Sequence, residues 1–484
     1  MKITLIEPPR YYAPTSAIST VVIPPLGPAY IAGALERAGH EVTVVDALAQ
    51  GMTTFTPFHN IYIRGLSLKD IASQIPKDVG MIGVSCMFSA QWLIVRDLVR
   101  RLKKEFPDTP IVLGGEHGTG MPDLSMEQAP LDYIVTGEGE ETAVELAAKL
   151  ADGQKPLDIT GTIARDGNTW RTNLRRDRVR DVDSIARPAW HLYDVEAYID
   201  FNQPHGASRG RFMPMLFTRG CPFQCTFCTS AQMWTQRWVA RDVKQVVDEM
   251  QTYMKRYNVT DFHFEDLTAI VKKDVIVDFC KEIIERGLKV SFQLPSGTRS
   301  EAVDAEAARW MKQAGCHEFS FAPEAGDPRI LKAIKKQVSL PELFISAKAA
   351  MDAGINVGGF FIVGFPEDSY LSILRTLKVI AKCAIVGFSS VNVNPYSPQP
   401  NTASFRALRD KGFFPEFDDD YFLDLFRFQE IFAAKVSYNE RFRPWQITLF
   451  VILGFATFYI FYFASRPWRI LKVFKDLFRR TSSD

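Results

Sequence analysis

Two successive α/β domains with parallel sheets, followed by a helical apolar tail, are the architecture predicted for this 484-residue chain. Three observations predict it. Short apolar runs alternate with helical patterns through residues 1–150, and the alternation resumes near 213 after an irregular stretch. After residue 410 the composition turns to phenylalanine and then to an uncharged run. The length suits two or three domains, each with an adequate core. Hydrophobic content is 46%, and 57 Lys and Arg balance 56 Asp and Glu, so no global field favours nucleic acid. Seven cysteines without disulfide-framework spacing point to a reducing compartment. The first residues read as a strand and not as a signal peptide, so folding is expected to begin in the cytoplasm.

Residues 1–150 carry candidate strands at 3–6, 42–46, 82–85, 111–114 and 133–136. Helices near 27–38, 67–75, 90–105 and 139–151 lie between them, giving a doubly wound, Rossmann-like sheet. In such sheets ligands bind beyond the C-terminal strand ends. The loops there include Glu7-Pro8-Pro9, 86–90, Gly114 to Thr119 and Gly137 to Glu140. Their glycines let backbone approach a ligand closely, and serve ordinary turns equally well. Residues 151–205 read as a linker, with the basic run 171–180 as a solvated face. Residues 206–405 carry six strands, at 213–218, 261–265, 289–294, 318–322, 357–363 and 389–395, with helices between them. Six suggest a partial (β/α)6 barrel, with chemistry at the C-terminal strand ends.

The first of those ends holds Cys221, Cys225 and Cys228 in a C-x₃-C-x₂-C run. Four thiolates would close a zinc site or fully ligate a 4Fe–4S cluster. Three leave one metal position open. The other cysteines, Cys86, Cys280, Cys316 and Cys383, sit singly in apolar or helical contexts and read as buried thiols. The triplet, with Phe227 before its last cysteine, resembles the cluster loop of the radical S-adenosylmethionine enzymes. That resemblance implies a 4Fe–4S cluster on the three cysteines and S-adenosylmethionine on the fourth iron. Its reductive cleavage gives a 5′-deoxyadenosyl radical that abstracts hydrogen from an unactivated carbon. The resemblance also proposes cofactor contacts. Glu265 and Asp266 would meet the amino group, although the family's Gly-Gly-Glu run is absent and Asp266 alternatively caps a helix. Ser296 and Arg299 match a polar-and-arginine stretch, and Glu324, in Pro323-Glu324-Ala325-Gly326, would accept from the ribose hydroxyls. Tyr396 would either face the substrate or pack.

Pro24-Pro25-Leu26-Gly27, Gly114-Gly115-x-His117 and Thr136-Gly137-Glu138-Gly139-Glu140 resemble the cobalamin-binding domain that precedes many of these enzymes. The resemblance implies contacts from Ser85, Gly114, Gly115, His117, Gly137 and Glu138. The D-x-H-x-x-G motif is missing, so the lower face of cobalamin is expected to lack a histidine from this chain.

Residues 406–445 read as a helical region and 446–484 as a membrane-anchoring tail. Ile447 to Ala464 run eighteen residues without charge, about 27 Å as a helix, between Trp445 and Trp468. Trp468, Leu471, Phe474 and Phe478 then alternate with basic residues, as in a helix lying on an anionic surface. A full span would export this basic tail, so a re-entrant insertion bent near Gly454 is expected, at the cytoplasmic face of the membrane.

These features together predict a cobalamin-dependent radical S-adenosylmethionine enzyme that methylates a hydrophobic lipid, isoprenoid or pigment substrate. Its electron donor would be a flavodoxin or ferredoxin, and no side chain is assigned as a catalytic acid or base. Rival readings are a radical cyclase of the magnesium-protoporphyrin ester type, a non-catalytic cobalamin or iron–sulfur sensor at the membrane, and a zinc-stapled binding protein.

Overall fold

The computed structural model describes residues 1–13, 21–299, 302–414, 417–427 and 436–470. They form two compact units, Met1–Leu267 with Ser397–Glu430, and Thr268–Tyr396 with Ile431–Asp484.

The first unit is built on a seven-stranded sheet. Its order is Thr169–Thr172, Thr162–Asp166, Tyr133–Val135, Ile111–Gly114, Met81–Ser85, Lys2–Glu7 and Glu41–Asp46. The last five run parallel, and the hairpin 162–172 adds two antiparallel strands at one edge. All five expected strands and all four expected helices are present. Parallel strands covered on both faces need apolar side chains on both, which is why Ile3, Leu5, Ile6, Ile82, Val84, Ile111 and Leu113 are buried. Within the stretch read as a linker, the hairpin 162–172 belongs to the sheet. An unexpected three-stranded antiparallel patch joins Arg10–Tyr12, Ile61–Arg64 and Phe55–Phe58.

Later in this unit Phe212–Met215 pairs in parallel with Asp261–Phe264. The phenylalanines between 405 and 422 also find their place here. Phe405 stacks on Phe414 and Phe417, with Tyr421 and Phe422 beside them.

In the second unit Ser291–Thr298, Cys316–Glu324, Asn356–Val363 and Ser390–Pro395 form a parallel run in that order. Thus all six expected strands of the second alternation exist, two in one unit and four in the other. Asp304, Ser339 and Ser369 cap the intervening helices by accepting from backbone N–H groups.

The apolar tail is one unbroken helix, Pro444–Ser465. Among the described residues it alone is long and apolar enough to cross a membrane, by length and composition. No break falls at Gly454, which packs against Val393, so the expected bend is corrected. Of the basic amphipathic continuation, Leu471, Phe474 and Phe478 lie outside the described residues.

Candidate active site

The approach to the cysteine loop is held by the end of a neighbouring strand. Asp266, two residues beyond Asp261–Phe264, is buried and accepts from Phe217 N at 3.1 Å and from Thr218 N and Oγ1, the last at 2.6 Å. Burial raises its carboxyl to about 6 despite those donors. Its oxygens therefore hold the backbone of Phe217 and Thr218 and the Thr218 hydroxyl. No helix begins there. Glu265 instead pairs with His205 Nδ1 at 3.2 Å. Burial alone would lower the His205 pKa, but the Glu265 carboxylate outweighs it and the net direction is upward.

Gly220 turns the chain into the loop with φ of +88°, and a Cβ there would stand 2.2 Å from Arg237 O. Only glycine suits that backbone. Cys221, Cys225 and Cys228 follow, all partly buried and unbridged. Burial pushes the Cys228 thiol up to about 12, with Cys225, Glu116 and Cys221 adding to the rise. The three sulfurs thus sense one another, and metal binding must displace their protons. Among the described residues no three His, Cys, Asp or Glu side chains converge as a cage for a single ion. Three thiols along one loop suit a cluster that presents a separate iron to each. Ser404 closes over the loop, with N donating to Thr226 O at 2.9 Å and its hydroxyl on Thr226 Oγ1 at 2.9 Å.

In the same unit the ends of the parallel sheet form a second group. Ser85 pairs in register with Gly114 and hydrogen-bonds the buried Glu7. Nothing lies within 4 Å of where a Gly114 Cβ would stand, so space opens above this strand end. Gly115, with φ of +105°, passes so close to Cys86 that a Cβ would sit 2.5 Å from its carbonyl oxygen. Met87 and Phe88 are 57% and 49% exposed beside these residues in sequence, an apolar surface of the kind a flat macrocycle covers. Gly137 N donates to Thr119 Oγ1 at 3.0 Å.

Two residues expected to contact cobalamin have protein partners here. His117 is wholly buried, stacked on Trp92 at 4.5 Å, with Nδ1 on Ser89 Oγ at 2.9 Å. Burial lowers its pKa to about 3, so it is a neutral wall residue. Glu138 is a buried counter-ion. Its carboxylate accepts from Arg178 Nε at 3.1 Å and Val179 N at 3.0 Å, and lies 3.5 Å from Arg219. Arg219, two residues before Cys221, also pairs with Glu140 at 2.7 Å and lies over Tyr30 and Trp234. Arg178 donates to Trp234 O at 2.7 Å and to Arg237 O. The basic run 171–180 is therefore not simply a solvated face. Beside this network Glu116 hydrogen-bonds Thr229, the residue after Cys228, and helix Glu116–Gly120 packs on Ser230–Trp234. The glycine loops of the sheet and the cysteine loop are thus joined side by side.

The second unit supplies the remaining expected residues. Ser296 lies within Ser291–Thr298, Arg299 follows it, and both are partly buried. Glu324 ends Cys316–Glu324 at φ of +63°, a left-handed conformation that costs a non-glycine residue roughly 1–2 kcal/mol. Its carboxylate accepts from Lys336 Nζ at 2.8 Å. Tyr396 is buried and packs on Phe365 and Tyr438.

Comparison with known proteins agrees with this geometry. Residues 17–147 match the B12 binding domain, and residues 215–380 match the radical SAM superfamily. An uncharacterized methyltransferase of Pyrococcus horikoshii is 30% identical, over 82% of this chain and 81% of that one. The cytidylyl-2-hydroxyethylphosphonate methyltransferase of Streptomyces wedmorensis is 31% identical, over 80% and 78%. The chain belongs to the cobalamin-dependent radical S-adenosylmethionine enzymes. Its cofactors are a 4Fe–4S cluster, S-adenosylmethionine and cobalamin. The anaerobic magnesium-protoporphyrin IX monomethyl ester cyclase of Cereibacter sphaeroides is 28% identical, over 80% of this chain and 61% of that one. The fold is shared with the methyltransferase TsrM from Kitasatospora setae, at a TM-score of 0.65 and 16% identity, over 85% and 76% of the two chains.

For this radical S-adenosylmethionine enzyme, sequence reasoning missed Arg178, Arg219, Glu140, Glu116 and Lys336. Only Arg219 carried a local signal, its place just before Gly220-Cys221. The partners of Arg178, Glu140 and Glu116 lie forty or more residues away in sequence.

Proposed function

We propose that this enzyme methylates an unactivated carbon, with Cys221, Cys225 and Cys228 holding the cluster and Ser85, Gly114, Gly115 and Gly137 facing cobalamin. The observation that carries the reading is the direct tie between the glycine loops and the cysteine loop through Glu116–Thr229 and Glu138–Arg178–Arg219. A methyl carrier and a radical source must act on one carbon, and these contacts fix their protein supports together. When bound, the cofactors replace a C–H hydrogen by methyl, consuming two S-adenosylmethionines and two electrons from an external donor and leaving 5′-deoxyadenosine, methionine and S-adenosylhomocysteine. The chain's own residues bind and orient. In the second unit Arg299 suits the S-adenosylmethionine carboxylate, and Ser296 and Glu324 its polar groups. Lys336 and the left-handed backbone fix where Glu324 points. In the first unit Glu265, aligned by His205, suits the amino group.

A hydrophobic substrate is supported by the exposed apolar C-terminal helix. A second reading, radical cyclisation, is favoured by the 28% identity to the magnesium-protoporphyrin ester cyclase. Methyl-labelled S-adenosylmethionine tests both when anaerobically reconstituted enzyme is given an organic extract of candidate substrates. Methylation puts the label into an organic-phase product, with equal 5′-deoxyadenosine and S-adenosylhomocysteine. Cyclisation gives an unlabelled product, and a polar substrate puts the label in the aqueous phase.

A further inference from the structure

We infer that helix Pro444–Ser465 does not cross a membrane but lies flat on an anionic bilayer, its outward apolar stripe in the headgroup region. The helix has two distinct sides. Ile447, Phe450, Val451, Gly454 and Phe458 are buried, at the i, i+3, i+4, i+7 and i+11 spacing of one helix face. Trp445, Leu449, Ile452, Leu453 and Ile460 form the opposing stripe and are between 39% and 63% exposed. An apolar face of this length left to water marks an interaction surface.

A neighbouring helix excludes the perpendicular arrangement. Tyr370–Val386 accompanies the C-terminal helix and is tied to it at both ends. Gln446 Nε2 donates to Tyr370 OH at 2.8 Å. Twenty residues later Arg466 donates to Ile385 O and Val386 O, both at 3.0 Å, and so caps the free carbonyls of Tyr370–Val386 with a cation. A crossing would either draw the exposed Lys378 and Lys382 of that helix into hydrocarbon or strip the buried face away from its unit. Lying flat requires neither.

Charge identifies the occupant. Between Arg441 and Lys475 the sequence carries six basic residues and no acidic one. Tyr370–Val386 adds the exposed Lys378 and Lys382 and contains no acidic residue, while its Arg375 is paired with Asp327 at 2.9 Å. Trp445 and Trp468, 60% and 63% exposed, stand near the two ends of the helix, where indole rings anchor at an interface. Apolar stripe, terminal tryptophans and an excess of positive charge together match an anionic lipid surface. The inference is independent of methyl transfer and is tested without activity.

Flotation of the full-length enzyme with vesicles decides it. Vesicles containing phosphatidylglycerol should bind about tenfold more protein than pure phosphatidylcholine, and high salt should erase the difference. Leu453→Glu with Ile460→Glu, both in the outward stripe, should abolish flotation while leaving circular dichroism and iron content unchanged. A C-terminal tag should be cleaved in inverted vesicles and spared in right-side-out ones. A tag cut only from the outer face would establish a span and overturn the inference. Equal flotation of wild type and double variant would overturn it too. So would a dimer that the variant dissociates without any lipid binding, because the stripe would then belong to a second copy.

Discussion

Removing one charge from the network beside the cysteine loop should loosen the support of both cofactors. Glu138→Gln preserves size and leaves two buried guanidinium groups, Arg178 and Arg219, facing the single carboxylate of Glu140. The side chains of Glu138, Arg178 and Arg219 are 4%, 5% and 5% exposed, so water does little to compensate. Breaking a buried pair typically costs 3–5 kcal/mol. Arg178 retains the carbonyls of Trp234 and Arg237, and Arg219 retains Glu140, which places the expected loss near the lower bound, about 3 kcal/mol. The assay is native-state hydrogen exchange of the apoprotein, because a two-unit chain has no single unfolding free energy. Peptides covering 137–140 and 216–220 should lose protection by a factor of about 100. Adding Arg178→Met should restore part of it, a coupling that a double-mutant cycle isolates. A loss under about 0.5 kcal/mol, or purely additive effects, would show that the network is not what holds the two loops together.

Four further outcomes are expected. Alanine at Cys221, Cys225 or Cys228 should each remove the cluster and reduce 5′-deoxyadenosine to background; retention of a full cluster by any one variant would reassign that ligand. Asp266→Asn should weaken the clamp on Phe217 and Thr218 by about 1–3 kcal/mol and lower cluster retention, while the loaded fraction binds S-adenosylmethionine normally. Weakened cofactor affinity with an intact cluster would make Asp266 a cofactor contact. Burial raises Glu7 from 4.5 to about 7, so the folded state holds this proton more tightly than the unfolded state does. Stability from this group is then full below about pH 4.5 and is lost as pH rises to about 7, by up to about 3 kcal/mol. Glu7→Gln should therefore raise protection of peptides covering 2–7 and 81–85 at pH 8 and flatten that slope in native-state hydrogen exchange; lower protection at pH 8 would contradict it. Lys336→Met should raise the KM for S-adenosylmethionine by freeing Glu324; an unchanged KM would leave Lys336 only a surface partner.

The parallel strands were legible because strands covered on both faces must be apolar runs, as at Ile3 to Ile6 and Ile111 to Leu113. The cysteine triplet was legible because its ligands come from one short loop. Arg178 was not, since a buried arginine in a basic run looks solvated until its partner, forty residues earlier, is known. The partners of Asp266 were hidden for a similar reason: Phe217 and Thr218 lie far earlier in the chain, and no sequence pattern marks them. His117 was expected only as a cobalamin contact in a glycine loop, and its packing on Trp92 and Ser89, which draws it into the wall, has no sequence signal. The strands Phe55–Phe58 and Ile61–Arg64 were hidden because Pro57 and a short, partly exposed patch give little alternation. The tail concealed its two faces because apolar residues occur all round the helix, and only the contacts of Ile447, Phe450 and Phe458 separate buried from outward.

The central claim, that cobalamin delivers methyl to a carbon made reactive beside the cluster, is tested most directly by one anaerobic turnover. Enzyme loaded with cobalamin carrying a ¹³C-methyl group is given substrate, reductant and unlabelled S-adenosylmethionine, and the product is read by mass spectrometry. The predicted result is one ¹³C-methyl on carbon for each 5′-deoxyadenosine formed. Product carrying an unlabelled methyl, or 5′-deoxyadenosine formed with no methylated product, would contradict the account.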